Sequence, residues 1–232
     1  MMNLLAFDTS TEQFSVAVQR ADGRRWTHQG AGGAQSSAAL IPTALALLAE
    51  AGLGLGELRA IVFGRGPGSF TGLRTACSVA QGLAFGAGVQ VLPVDTLLAV
   101  AEAARLAQGA TQVLACLDAR MSEVYSAAYR QQVGLWHRQA EITVGAPEAL
   151  APPAGAGWVL AGNAFGPYLD RLPSALAAWP RIDALPTAEA LLSLAPALLA
   201  AGQAVPAEQA LPLYIRDKVA HTVAERAAAA AR

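Results

Sequence analysis

FDTSTEQFSVAVQR (7–20) lies over LDARMSEVYSAAYR (117–130) without a gap, at an offset of 110, which is 118 minus 8. In this overlay Asp8 meets Asp118, Ala17 meets Ala127 and Arg20 meets Arg130. Each copy reads as a hydrophobic strand, a polar turn and an alternating second strand. Further on, VLAGNAFGP (159–167) echoes IVFGRGPG (61–68), in both cases a strand running into glycine and then a helix. One order of elements used twice predicts two related α/β lobes. The competing reading is that two hairpins share a pattern because hairpins do.

Around this core the pattern continues. Strand-like runs at 4–7, 14–19 and 24–29 form a first meander. Over 36–51 the apolar residues Leu40, Ile41, Ala44, Leu45 and Leu48 recur at helical spacing, with Ser36 or Ser37 as cap and Gly52 as stop. A strand at 60–64, the loop GRGPGSFTG (64–72), a small-residue helix at 71–85 and a strand at 89–94 make a βαβ unit. After a helix at 95–107, a second meander runs through 113–119, 123–129 and 135–144. A Pro-rich loop (147–157), a helix at 187–202 and an Ala-rich helical tail complete the chain. The expected division is a first lobe at 1–98 and a second at 99–214, with a C-terminal helix at 215–232 packing back on the first.

Composition narrows the function. The 232 residues carry a net charge of −1, and Lys218 is the sole lysine among 16 basic residues, so no basic stripe marks a nucleic-acid groove. Hydrophobic residues make up 54% and charged ones 14%, an apolar balance that predicts surface covered by a partner. No apolar run is long enough to span a membrane, and the N-terminus lacks the basic start of a secretory signal, so a cytoplasmic protein is expected. Cys77 and Cys116 are too few for a disulfide framework.

The chemistry-bearing motifs are sparse. Asp8 ends a strand and opens a Thr/Ser turn, the way actin-like folds present a carboxylate to a metal phosphate; a plain turn aspartate also sits there. The loop GRGPGSFTGLR opens onto a helix N-terminus, which favours anions, yet it lacks the lysine of a Walker motif and the flanking glycines of a hydrolase elbow around Ser69. His28, His137 and His221 lie on separate elements with no metal-site spacing, and neither metal nor cofactor is expected. Thr71, Gly72, Thr75, Ala76, Ser78, Ala80, Gln81 and Gly82 put small side chains on one helix, suited to a partner helix or to plain surface.

LLAFDTSTEQFSVAV, GRGPGSFTGLR with AQGLAFG, LDARMSEVYSAAY and PLYIRDKVA together resemble the bacterial TsaB (YeaZ) family, nearly end to end. The resemblance implies an actin-like ATPase (ASKHA, ribonuclease H-like) fold in two duplicated lobes. It implies a non-catalytic subunit for tRNA N6-threonylcarbamoyladenosine formation at position 37, which docks and activates the TsaD transferase together with TsaE and meets tRNA indirectly. The alternatives are an actin-like nucleotide-dependent transferase active by itself, or a glycoprotease-like peptidase. The family pairs through the two helices of the first lobe, so Ser36, Leu40, Thr43, Leu47, Thr71, Arg74, Thr75, Ser78 and Gln81 are the implied partner interface, also used by a homodimer of the lone chain. Asp8, Ser10, Gly64, Gly66 and Asp118 are the implied residual nucleotide-type cleft. Many relatives keep a histidine where this chain has Ser36.

Overall fold

A computed structural model describes residues 1–216. The first sheet contains β1 (Leu4–Asp8), β2 (Gln13–Gln19), β3 (Arg25–Ala31), β4 (Ala60–Gly66) and β5 (Gln90–Asp95), in the order β3-β2-β1-β4-β5. The second contains β6 (Gln112–Asp118), β7 (Val124–Gln132), β8 (Leu135–Arg138), β9 (Thr143–Gly145), β10 (Val159–Gly162) and β11 (Arg181–Asp183), in the order β8-β7-β6-β10-β11 with β9 also on β7. In both, an antiparallel meander is extended by two parallel strands. This is the duplicated, two-lobed actin-like arrangement.

The gapless overlay needs one correction. Leu4 faces Gln19 and Val113 faces Tyr129, so β2 and β7 keep the offset of 110 while β1 and β6 stand at 109 (113 less 4). A one-residue slip moves side chains to the other sheet face. Asp8 therefore corresponds to Leu117, and Asp118 belongs to a turn one residue longer than its counterpart. In that turn Arg120, Met121 and Ser122 all take left-handed backbone, with φ of 60°, 54° and 61°.

The outer face of the first sheet, with Leu5, Phe7, Phe14, Val16, Ile61 and Phe63, is closed by α1 (Ala34–Ala51) and α2 (Phe70–Ala87). Helix α1 starts at Gly33 rather than at a serine cap; the Ser36 hydroxyl instead donates to Gly33 O. Its end matches expectation, with Gly52 left-handed and Leu53 N bonded to Leu48 O. Between the sheets, α3 (Thr96–Gln108) and α6 (Ala188–Ala200) cross over: α3 packs mainly on Val113, Ala115 and Leu117, while α6 covers Leu4, Ala6, Ala60 and Val62 of the first sheet. Helix α6 is set by Thr187, whose hydroxyl accepts from Ala190 N.

The second lobe's outer face is covered differently. The helix expected after 159–162 is a single turn, α4 (Phe165–Tyr168), followed by another, α5 (Ser174–Ala177), and Trp158, Leu150, Leu172 and Leu176 complete the cover. The expected strand 135–144 breaks into β8 and β9 (Thr143–Gly145), both paired with β7, and Ile142 turns inward between them. Residues 211–216 are extended and join the lobes: Leu213 N donates to Arg65 O, Ile215 packs in the second lobe's core, and Arg216 binds Ala119 O and Glu123. Residues 215 and 216 are thus not helical and lie on the second lobe; the rest of the expected C-terminal helix falls outside the described residues.

Candidate functional site

A cleft of about 480 Å³ separates the lobes, lined by Ser10, Ser69, Asp118, Arg120, Asn163 and Tyr214 among others. Asp8 lies beneath it, fully buried. Its Oδ1 accepts from Ser10 N (2.8 Å) and Ser10 Oγ (2.7 Å), while Oδ2 has no partner. Burial pushes this carboxyl up to about 6, against the pull of both Ser10 bonds. A Cβ on Gly64 would overlap Asp8 Oδ2, so glycine there is what lets β4 close on the aspartate. Gly66 (φ 123°) does the same for the segment around Leu213, since a Cβ would stand 2.5 Å from Leu213 O. Gly64 and Gly66 are accounted for by internal packing, and neither faces the cleft.

Asp118 does face it, and its oxygens are engaged: Oδ1 accepts from Tyr168 Oη (2.8 Å) and Arg120 N (2.8 Å), and Oδ2 pairs with Arg120 Nη1 (3.2 Å). Across the gap, Asn163 Nδ2 donates to both Glu12 oxygens at 3.2 Å, and Asn163 Oδ1 accepts from Asp118 N (2.9 Å). The sequence reading missed this latch. Its only trace is an acidic residue in the first turn and an amide after the second lobe's glycine. Among the described residues no three His, Cys, Asp or Glu side chains gather as a metal site, and no helix is long and apolar enough to cross a membrane.

The outer sides of α1 and α2 form the second candidate surface. Of the nine residues expected there, Ser36, Leu40 and Leu47 are buried in the first lobe itself. The expected faces of α1 are inverted at three residues: Leu47 turns in, while Ile41 (40% exposed) and Leu45 (44%) turn out. A helix apolar nearly all round leaves its inward face undetermined by spacing alone. On α2, Phe85 is a further exposed apolar side chain, at 82%. Thr71, Arg74 and Ser78 are exposed, and Thr43, Thr75 and Gln81 half-buried, with Gln81 Nε2 donating to Ala210 O (2.8 Å).

Near the cleft mouth, α2 meets residues 211–216. The Arg74 guanidinium lies 3.8 Å from the Phe70 ring centroid, Arg74 Nε donates to Tyr214 Oη (3.1 Å), and the two rings stand 5.5 Å apart.

Residues 27–156 match a family model described as TsaD: tRNA N6-adenosine threonylcarbamoyltransferase. The tRNA threonylcarbamoyladenosine biosynthesis protein TsaB of Escherichia coli (strain K12) is 38% identical over 224 residues, spanning 94% of this chain and 96% of its own length. Its namesake in Haemophilus influenzae is 35% identical over 232 residues, spanning 94% and 95%. The solved structure of YeaZ from Pseudomonas aeruginosa aligns with a TM-score of 0.86 at 45% identity, over 92% of this chain and 100% of that one.

Proposed function

The chain belongs to the TsaB (YeaZ) family, whose part is in tRNA threonylcarbamoyladenosine biosynthesis, and from that premise we propose that it is a non-catalytic subunit that docks TsaD through α1 and α2 and holds it competent. The observation that carries this reading is the contrast between the two candidate surfaces. The carboxylate that ends β1, Asp8, is sealed under Ser10 and Gly64, whereas Ile41, Leu45 and Phe85 leave apolar side chains uncovered on paired helices. Exposed apolar patches of this kind mark interaction sites.

In this reading TsaE joins the same assembly, tRNA is reached through it, and the lone chain pairs with a second copy by the same helices. The protein works in the cytoplasm, with lobes divided at residue 98. The test is to add the purified chain to TsaD, TsaE, tRNA and threonylcarbamoyl-adenylate. Modified tRNA is expected to rise well above the level without the chain; an unchanged yield would refute the reading.

A further inference from the structure

At the cleft mouth, Phe70, Arg74 and Tyr214 form a ledge of three flat groups; Arg74 is among the residues expected at the partner interface, but the two rings are not. Both rings remain open, Phe70 at 43% and Tyr214 at 46% exposure. Among the described residues no carboxylate pairs with Arg74; the ring beneath it and the tyrosine hydroxyl are its contacts. Beyond Tyr214 the cleft offers the exposed hydroxyl of Ser69, able to donate to or accept from a heteroaromatic edge. Arg120, with a side chain 78% exposed, stands on the opposite lobe's wall.

We infer that this ledge seats one unpaired nucleotide of the RNA substrate, its base stacked on the Phe70 and Tyr214 rings and its phosphate beside Arg74. Aromatic rings and guanidinium planes are the surfaces on which splayed-out bases stack, and the stack is sequence-tolerant because every base has a π-face. A protein side chain would be held as well by an aliphatic pocket; what singles out a nucleotide is the pairing of open aromatic faces with a cation that has no carboxylate partner among the described residues. The near-neutral net charge agrees with a single-nucleotide seat, the main electrostatic grip coming from elsewhere in the assembly. The inference rests on the subunit reading above and gives this chain a direct contact with the RNA.

The experiment uses the full chain with TsaD and TsaE, and an unmodified tRNA transcript as probe. Assembly is first measured by gel filtration, then the mixture is irradiated with ultraviolet light and crosslinked peptides are mapped by mass spectrometry. Crosslinks at Phe70 or Tyr214 are expected. The F70L/Y214L double variant should cut their yield and raise the KM for tRNA about tenfold with kcat little changed. Y214F, which keeps the ring and loses the Arg74 hydrogen bond, should stay near wild type; a merely structural anchor would be damaged by it. Crosslinks confined to other segments, an unchanged KM in F70L/Y214L, or a loosened subunit complex in its place would each overturn the inference. If the chain fails to assemble with TsaD, the subunit reading falls, and irradiation of the isolated chain with the same tRNA decides the ledge separately.

Discussion

The two lobes share a strand order but not an outer face. In the first, two helices of 18 residues each close the sheet and leave Ile41, Leu45 and Phe85 open on their far sides. In the second, the corresponding face is closed by Trp158, a Pro-rich loop and single helical turns, and among the described residues no comparable helix pair is presented. The carboxylate ending β1 also differs, since its counterpart on β6 is Leu117. Duplication preserved the sheet register, where a slip would have turned a core strand inside out, and let the covering elements diverge. Among the described residues, a pair of long helices on an outer face is found in the first lobe and not in the second, which is why the proposed partner surface is placed there.

Charging that surface should break the comparison most strongly. I41D/L45D is expected to lower affinity for TsaD by about a hundredfold or more, since buried interface anchors cost at least ~2 kcal/mol each. V133D, on a fully exposed turn of the second lobe, should change nothing measurable by the same titration. Equal losses would mean that the lobes are not specialised.

The seam between the lobes comes next. Glu102 on α3 is buried and accepts from Arg105 Nε and Nη2, Trp136 Nε1 and Ser193 Oγ, tying α3 to β8 and α6. Glu102→Ala should cost about 3 kcal/mol by urea unfolding, because donors are left unpaired. Burial alone would raise this carboxyl; the bonds from Arg105, Ser193 and Trp136 outweigh it and hold it below the usual carboxylate range. Its contribution is therefore full above the ordinary value near 4.5 and is lost as pH falls through the folded-state value. A Glu102→Ala loss that did not shrink in acid would contradict this.

Asp8 has the opposite sign. Raised from 3.8 to about 6, it favours the folded state while protonated, and stability drains as pH climbs between those values. Asp8→Asn should therefore be neutral below pH 4 and more stable than wild type by up to about 3 kcal/mol above pH 6. Chemical unfolding at pH 4 and pH 7.5 measures the gap, and a constant difference would show that Asp8 carries no buried charge. The smallest effect is expected at the longer turn of the second lobe. Ser122→Gly should add about 1 kcal/mol of thermal stability by relieving left-handed backbone, and a loss would mean that the turn is unstrained.

Much of this was legible in the residues. Alternating strands, the Gly-rich loop into a small-residue helix, and the repeated hairpin reveal both lobes because period and turn chemistry are local properties. What stayed hidden depends on tertiary context. Leu40, Ile41, Leu45 and Leu47 are all apolar, and only the sheet beneath decides that Leu40 and Leu47 go in. The aspartates at 8 and 118 align by eye, but an extra turn residue, invisible without strand pairing, makes them unlike. The Glu12–Asn163 latch and the seating of Leu213 on Arg65 join residues about 150 apart, beyond any local pattern.

Hydrogen exchange on the full chain, with and without TsaD, tests the central claim most directly. Specialisation of the first lobe predicts slowed exchange at 41–49 and 70–85 and none at 133–138 or 165–177. Protection appearing in the second lobe while α1 and α2 exchange as before would contradict it.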